Sequence, residues 1–78
     1  IAYDPAKNAK NRTKHGIGLA KAQHLEWDTA IVEPDTRRDY GEKRMIAYGY
    51  WGERLYVLVF TRRESGLRAI SLRKANAR

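Results

Sequence analysis

No cysteine occurs among the 78 residues, which excludes a disulfide framework, a thiolate metal site and a cysteine nucleophile. Histidine is almost as scarce: only His15 and His24 are present, and no carboxylates at suitable spacing complete a metal set around them. The chain has no glycine-rich loop of the kind that cradles nucleotide phosphates, and no Ser/His/Asp order that marks a hydrolase. Neither a metal nor an organic cofactor is therefore expected. Its longest apolar run, Leu55 to Phe60, falls far short of the roughly 20 residues a membrane span needs. No basic-then-apolar segment of a secretory signal is present, so the expectation is a cytoplasmic protein with no membrane partner. At this length one domain over residues 1–78 is expected, with a small core, since such chains bury only about 60% of their unfolded surface.

What the chain holds in excess is positive charge, with 16 Lys and Arg against 9 Asp and Glu and a formal charge of +7. Residues 1–16 carry +3, residues 17–53 carry −2 and residues 54–78 carry +6, so the excess lies at both ends. Ten of the bases are arginine, whose planar guanidinium grips phosphate through several donors where lysine acts as a point charge. A small basic chain with clustered arginines points to a polyanion, the alternative being a surface kept soluble by its charge.

Local signals divide the chain. Asp4-Pro5 starts a helix, because Asp caps an orphan N–H and Pro at the first helical position loses nothing. Ala6 to Lys14 continues it and His15-Gly16 ends it; Lys7, Lys10 and Lys14 share one face. A second short helix is expected from about Gly18 to Leu25, followed by Trp27 and a short strand from Thr29 to Glu33. Pro34 to Gly41 reads as a polar, solvated loop. Three strands follow, Arg44 to Tyr50, Arg54 to Thr61 and Leu67 to Arg73, joined by tight turns, the middle one apolar on both faces. In the last of them Ile70 and Leu72 are expected on one side, and Ala69, Ser71 and Arg73 on the other. Lys74 to Arg78 reads as the first turn of a C-terminal helix cut short. The expected fold is α+β: two N-terminal helices packed on one face of a small antiparallel sheet of three to four strands.

The candidates for chemistry are cations from distant segments that a sheet could gather: Lys14 and His15 at the end of the first helix, Arg44 opening a strand, Arg62 and Arg63 closing the next, and Arg68, Ser71, Arg73 and Lys74 on or after the last. Such a set suits RNA cleavage. RNA carries its own nucleophile, the 2′-hydroxyl, and the extra negative charge of the transition state is met by arginines already in place. His15 has an ordinary pKa suited to proton transfer near neutrality. Each residue also has a purely structural use. His15 interacts with the end of the helix dipole, His24 is a surface or packing residue, Glu42 forms an ion pair beside Lys43 and Arg44 in preference to accepting a proton, Ser71 packs as a small residue, and Tyr48, Tyr50 and Tyr56 fill the sheet or stack on bases.

Read in order, Tyr3-Asp4-Pro5-Ala6-Lys7, Asn11, Lys14-His15-Gly16-Ile17, Ala22, Trp27-Asp28, Gly41-Glu42, Arg44, Gly49, Leu55 to Thr61 and Arg68 to Ala75 resemble the BrnT family, toxins of bacterial type II toxin–antitoxin pairs with a RelE-like ribonuclease fold. The resemblance implies a metal-independent endoribonuclease that inhibits translation. It further implies a BrnA-type antitoxin partner, an RNA substrate, and operator DNA bound indirectly through the toxin–antitoxin complex. It carries functional roles to Lys14, His15, Arg44, Thr61, Arg63, Ser71, Arg73 and Lys74. Side-chain chemistry divides the candidates: catalysis is expected of Lys14, His15, Arg44 and Arg73, and RNA or phosphate binding of Thr61, Arg63, Arg68, Ser71 and Lys74. The chain departs from the family at Gly18, where Ser is usual and a helix cap is lost, and at Ala69, where a bulkier aliphatic is usual. A non-catalytic nucleic-acid-binding module, or an operator-binding co-repressor subunit, is the alternative reading of the same charges.

Overall fold

Local capping chemistry sets the first helix. The structure, a computed structural model, describes residues 1–37, 39, 41–64 and 66–75. After a two-residue strand β1 (Ala2–Tyr3), helix α1 runs Pro5–His15. The Asp4 carboxylate accepts the Ala6 N–H at 2.9 Å, and Gly16, at φ 73°, closes the helix by donating its N–H to the Arg12 carbonyl at 2.8 Å. Only glycine adopts that left-handed cap without steric cost.

The expected second α-helix is instead a 3₁₀ helix, Leu19–His24, followed by a single 3₁₀ turn at Trp27–Thr29. The reason lies in the spacing of its apolar residues. Leu19, Ala22 and Leu25 recur every three positions and are all buried, and a helix of three residues per turn puts them on one side. Gly18 offers no side-chain cap; the Asn8 amide oxygen accepts the Leu19 N–H at 2.8 Å in its place. A Cβ at Gly18 would lie 3.3 Å from that oxygen, so the side chain usual in the family would crowd it.

The sheet also differs from expectation. It has five strands rather than three or four, in the order β1-β5-β4-β3-β2, with β2 at Ile31–Pro34, β3 at Met45–Trp51, β4 at Arg54–Arg63 and β5 at Gly66–Lys74. It is mixed rather than antiparallel, because β1 pairs parallel to β5 while the other three pairings are antiparallel. A two-residue strand carries no periodicity, which is why β1 left no mark in the sequence. One α-helix and a five-stranded mixed sheet thus replace two helices on a smaller antiparallel sheet. Lys74 ends β5 rather than opening a helix, and residues 76–78 lie outside those described.

Two apolar layers flank the sheet. On one face Ala47, Tyr56, Leu58, Phe60, Ala69 and Leu72 pack against Leu19, Ala22 and Leu25. On the other, a smaller cluster of Ile46, Val57 and Val59 is joined by Tyr48, Ile70 and Ala75. A bulge sets the facing of β5: Ser71 pairs with Val59 and Ala69 with Phe60, leaving Ile70 without a partner on β4. Leu72 and Ala69 therefore share the helix-side core, and Ile70, Ser71 and Arg73 the opposite face. This overturns the strict alternation expected for this strand.

Asn11 fastens α1 to the sheet. It is 4% exposed; its amide nitrogen donates to the Leu72 carbonyl at 2.9 Å and the Ile17 carbonyl at 2.8 Å, and its oxygen accepts the Leu72 N–H at 3.0 Å. β1 covers the edge of β5 at Arg68 and Ala69, and the Asn11 amide takes over at Leu72. Asn11→Ala leaves a buried N–H and C=O unpaired, so a loss of about 2–4 kcal/mol is expected in urea unfolding. Asn11→Asp, which keeps the shape but aims a carboxylate at two carbonyls, is expected to be destabilised as well. Unfolding midpoints unchanged in both variants would contradict this anchoring.

Candidate functional site

The face opposite the helix-side core carries most of the cations singled out in the sequence. Thr61 lies across from Arg68, which in turn lies beside Ala2; Val59 lies across from Ser71, and Val57 from Arg73. Arg44 immediately precedes β3, one residue before Met45 of the helix-side layer, and so alternates to this face. The bulge is what places Arg68 beside Ser71 and Arg73, since its number has the opposite parity to theirs. The buried valines and Ile46 form an apolar floor beneath these groups.

At one end of this face Lys7, Glu42, Thr61, Arg63, Arg68 and Ile70 line a cavity of about 210 Å³. The Glu42 carboxylate is shared: one oxygen accepts from Arg44 Nε at 3.2 Å and the other from Arg63 Nη2 at 3.5 Å. Thr61 is 4% exposed and its hydroxyl has no hydrogen-bond partner among the described residues. A buried hydroxyl left without a partner is costly. The residue lines the cavity beside Lys7, Arg63 and Arg68, with its hydroxyl oxygen enclosed behind the wall.

At the other end His15, half-buried at the terminus of α1, lies within the field of Arg73. Burial first, then the positive charges of Lys14 and Arg73, hold its pKa below the ordinary 6.5. The uncharged imidazole, which can accept a proton, is thereby favoured. Four residues of strand lie between Arg68 and Arg73, a span of roughly 15 Å, so the sheet face holds two cationic centres rather than one pocket.

The remaining candidates lie elsewhere. Lys74 pairs with Tyr56 on the helix side and lines a separate groove of about 620 Å³ with Arg12, Lys21 and Trp51. Arg62 likewise lines a helix-side cavity with Pro34, Lys43 and Met45. Lys14 is exposed on the outer surface of α1, beside Ala9, Lys10 and Thr13. His24 packs on Trp51, ring centroids 5.3 Å apart and nearly parallel. Arg37, expected to be solvated, chelates the buried Asp35 carboxylate through Nε at 2.9 Å and Nη2 at 2.8 Å, and Arg38 of the same loop lies outside the described residues.

Sequence reading missed Lys7 as a lining residue and Glu42 as a bridge between Arg44 and Arg63. The sequence puts Lys7 on a basic helix face with Lys10 and Lys14, of which Lys7 lines this cavity while Lys10 and Lys14 line another surface of α1. The pairing of Glu42 with Arg44 follows from their closeness in sequence; the bond to Arg63 does not, because that residue is 21 positions away. Among the described residues no group of three or more His, Asp or Glu is disposed to hold a metal ion, and no helix is long and apolar enough to cross a membrane.

A basic sheet face with a cation-lined cavity and a neutral imidazole beside an arginine defines a small protein built to handle a polyanion. A family model described as the ribonuclease toxin, BrnT, of type II toxin-antitoxin systems matches residues 3–78. The chain belongs to that family of ribonuclease toxins, and the type II class implies a protein antitoxin as partner. No curated protein sequence matches it significantly.

The lowered pKa of His15 makes a stability prediction with a definite sign. As pH falls below about 6.5 the unfolded chain takes up a proton at this site before the folded chain does, so this contribution to stability is lost on acidification. NMR titration of His15 is expected to give a midpoint below 6.5 that rises in Arg73→Ala and in Lys14→Ala. A midpoint unmoved by either substitution would contradict the assigned charges.

Proposed function

We propose that this chain is a single-domain, metal-independent endoribonuclease that inhibits translation in the cytoplasm, is neutralised by a BrnA-type antitoxin and reaches operator DNA through that complex. The observation that carries this reading is a cavity on the sheet face lined by Lys7, Arg63 and Arg68, with the Glu42 carboxylate on the same wall. A phosphodiester seated there receives the charge of Arg68 and Arg63.

Glu42, held between Arg44 and Arg63, takes the proton of the 2′-hydroxyl as that oxygen attacks the adjacent phosphorus. The bond to the 5′-oxygen breaks, that oxygen takes a proton from solvent water, and a 2′,3′-cyclic phosphate and a free 5′-hydroxyl remain. Negative charge grows on the non-bridging oxygens in the transition state, and guanidinium groups already in place meet it without reorganising. Arg73, with neutral His15 and Ser71 nearby, engages a neighbouring phosphate of the same strand. Lys14 and Lys74 add long-range attraction from outside this face, and that attraction falls steeply with salt.

The test is cleavage of a short RNA and of the same strand with a single 2′-deoxynucleotide at the cut site. The first is expected to be cut to a 2′,3′-cyclic phosphate, the second bound but left intact. Glu42→Gln and Arg68→Ala are each expected to lose roughly 100-fold or more in cleavage rate with RNA affinity changed far less. Binding of both strands without cleavage of either would favour the non-catalytic nucleic-acid-binding module, and equal cleavage of both would remove the 2′-hydroxyl mechanism.

A further inference from the structure

The proposed reaction accounts for the phosphate-facing end of the sheet and leaves the β2–β3 side unexplained. There Tyr48 lies in a row across four strands, Ile31–Tyr48–Val57–Arg73. The Tyr48 hydroxyl donates to a Glu33 carboxylate oxygen at 3.1 Å. Glu33 sits opposite Ile46, on the same face, in the edge strand. Ile31 is 67% exposed and Tyr50 47% exposed, two of the large apolar side chains the described protein leaves in water, and both lie on this face beside Tyr48. The Tyr48 phenol is shifted above its ordinary value, first by the bond to Glu33 and then by burial, while the charges of Arg37 and Arg73 act on it in the opposite sense. An aromatic ring, a carboxylate and the fields of two guanidinium groups thus meet at one place.

Resting on the ribonuclease reading above, we propose that Tyr48 and Glu33 form a nucleobase subsite that selects bases presenting an amine edge, guanine foremost. Tyr48 lies two strands from Arg73, about 10 Å across the sheet, so a nucleotide whose phosphate is held by Arg73 lays its base over Val57 and the tyrosine ring. Single-stranded RNA is commonly read this way, by bases splayed onto aromatic side chains of an open sheet. An ionised carboxylate only accepts hydrogen bonds. Guanine offers N1–H and the 2-amino group side by side, matching the two oxygens of Glu33. Cytosine and adenine each offer one amine next to a ring nitrogen that repels the second oxygen. Uracil offers a single N–H between two carbonyls, the worst match. The tyrosine bond fixes the carboxylate in place and still leaves acceptor positions on it.

Binding tests this without depending on cleavage. Four uncleavable oligodeoxynucleotides, identical except for one central guanine, adenine, cytosine or uracil, are compared by fluorescence anisotropy. The guanine strand is expected to bind roughly 10-fold or more tighter than the uracil strand. Glu33→Ala is expected to erase that preference and Glu33→Gln to weaken it. Tyr48→Leu is expected to weaken all four strands by roughly 5-fold or more through lost stacking, with Tyr48→Phe retaining most of the affinity. Equal binding of the four strands by the native protein, or an unchanged preference in Glu33→Ala, overturns the subsite. The fate of the ribonuclease reading is settled separately by the cleavage of 2′-hydroxyl RNA.

Discussion

The Asn11 amide is the contact on which the rest of this structure depends. α1 is an unremarkably polar helix with little apolar surface to bury, and only Asn11 among its residues is fully enclosed. Its amide acts as a missing strand for Leu72, presenting one donor and one acceptor to the edge of β5. The same amide pins the Ile17 carbonyl, which fixes the turn after the helix. With the helix held in that register, Lys7 comes to the cavity beside Arg68, and His15 comes within reach of Arg73's field. A buried amide with its donors and acceptor paired is a directional constraint that apolar packing alone would not supply.

The sheet divides its labour between faces. The helix-side face supplies the larger core, where Leu19, Leu58, Phe60 and Leu72 are almost wholly buried. The other buries only a small aliphatic floor and surrounds it with guanidinium groups. Gathering like charges costs stability, and the protein offsets part of that cost by lodging Glu42 between Arg44 and Arg63. The Thr61 hydroxyl, buried without a partner among the described residues, is a further cost. The surplus of cations on this face accords with a chain whose net charge is +7 and whose family is one of ribonuclease toxins.

On the proposed mechanism the substrate brings its own nucleophile, and the protein has to place charge and one proton acceptor. Side chains on a rigid sheet do this at little cost in reorganisation.

Much of this was legible in the sequence, and the division follows from the range of the interactions. The limits of α1 were readable because Asp4, Pro5 and Gly16 act on neighbours within one turn. The three long strands and the Gly52-Glu53 turn were readable because alternation and turn chemistry are also local. The second helix was misjudged because apolar residues at intervals of three fit both helix types, and contact with the sheet selected the tighter one. Strand β1 and the Asn11 anchor escaped because their partners lie some sixty residues away. The sequence by itself determined the limits of α1, the three long strands in their order and a surplus of arginine. Which arginines act together was decided only in the folded sheet. The bulge at Ile70 turns Arg68 to the face of Ser71 and Arg73, while the next residue, Lys74, faces the opposite side. A one-residue slip between paired strands reverses every side chain beyond it, and such a slip exists only where two distant segments meet.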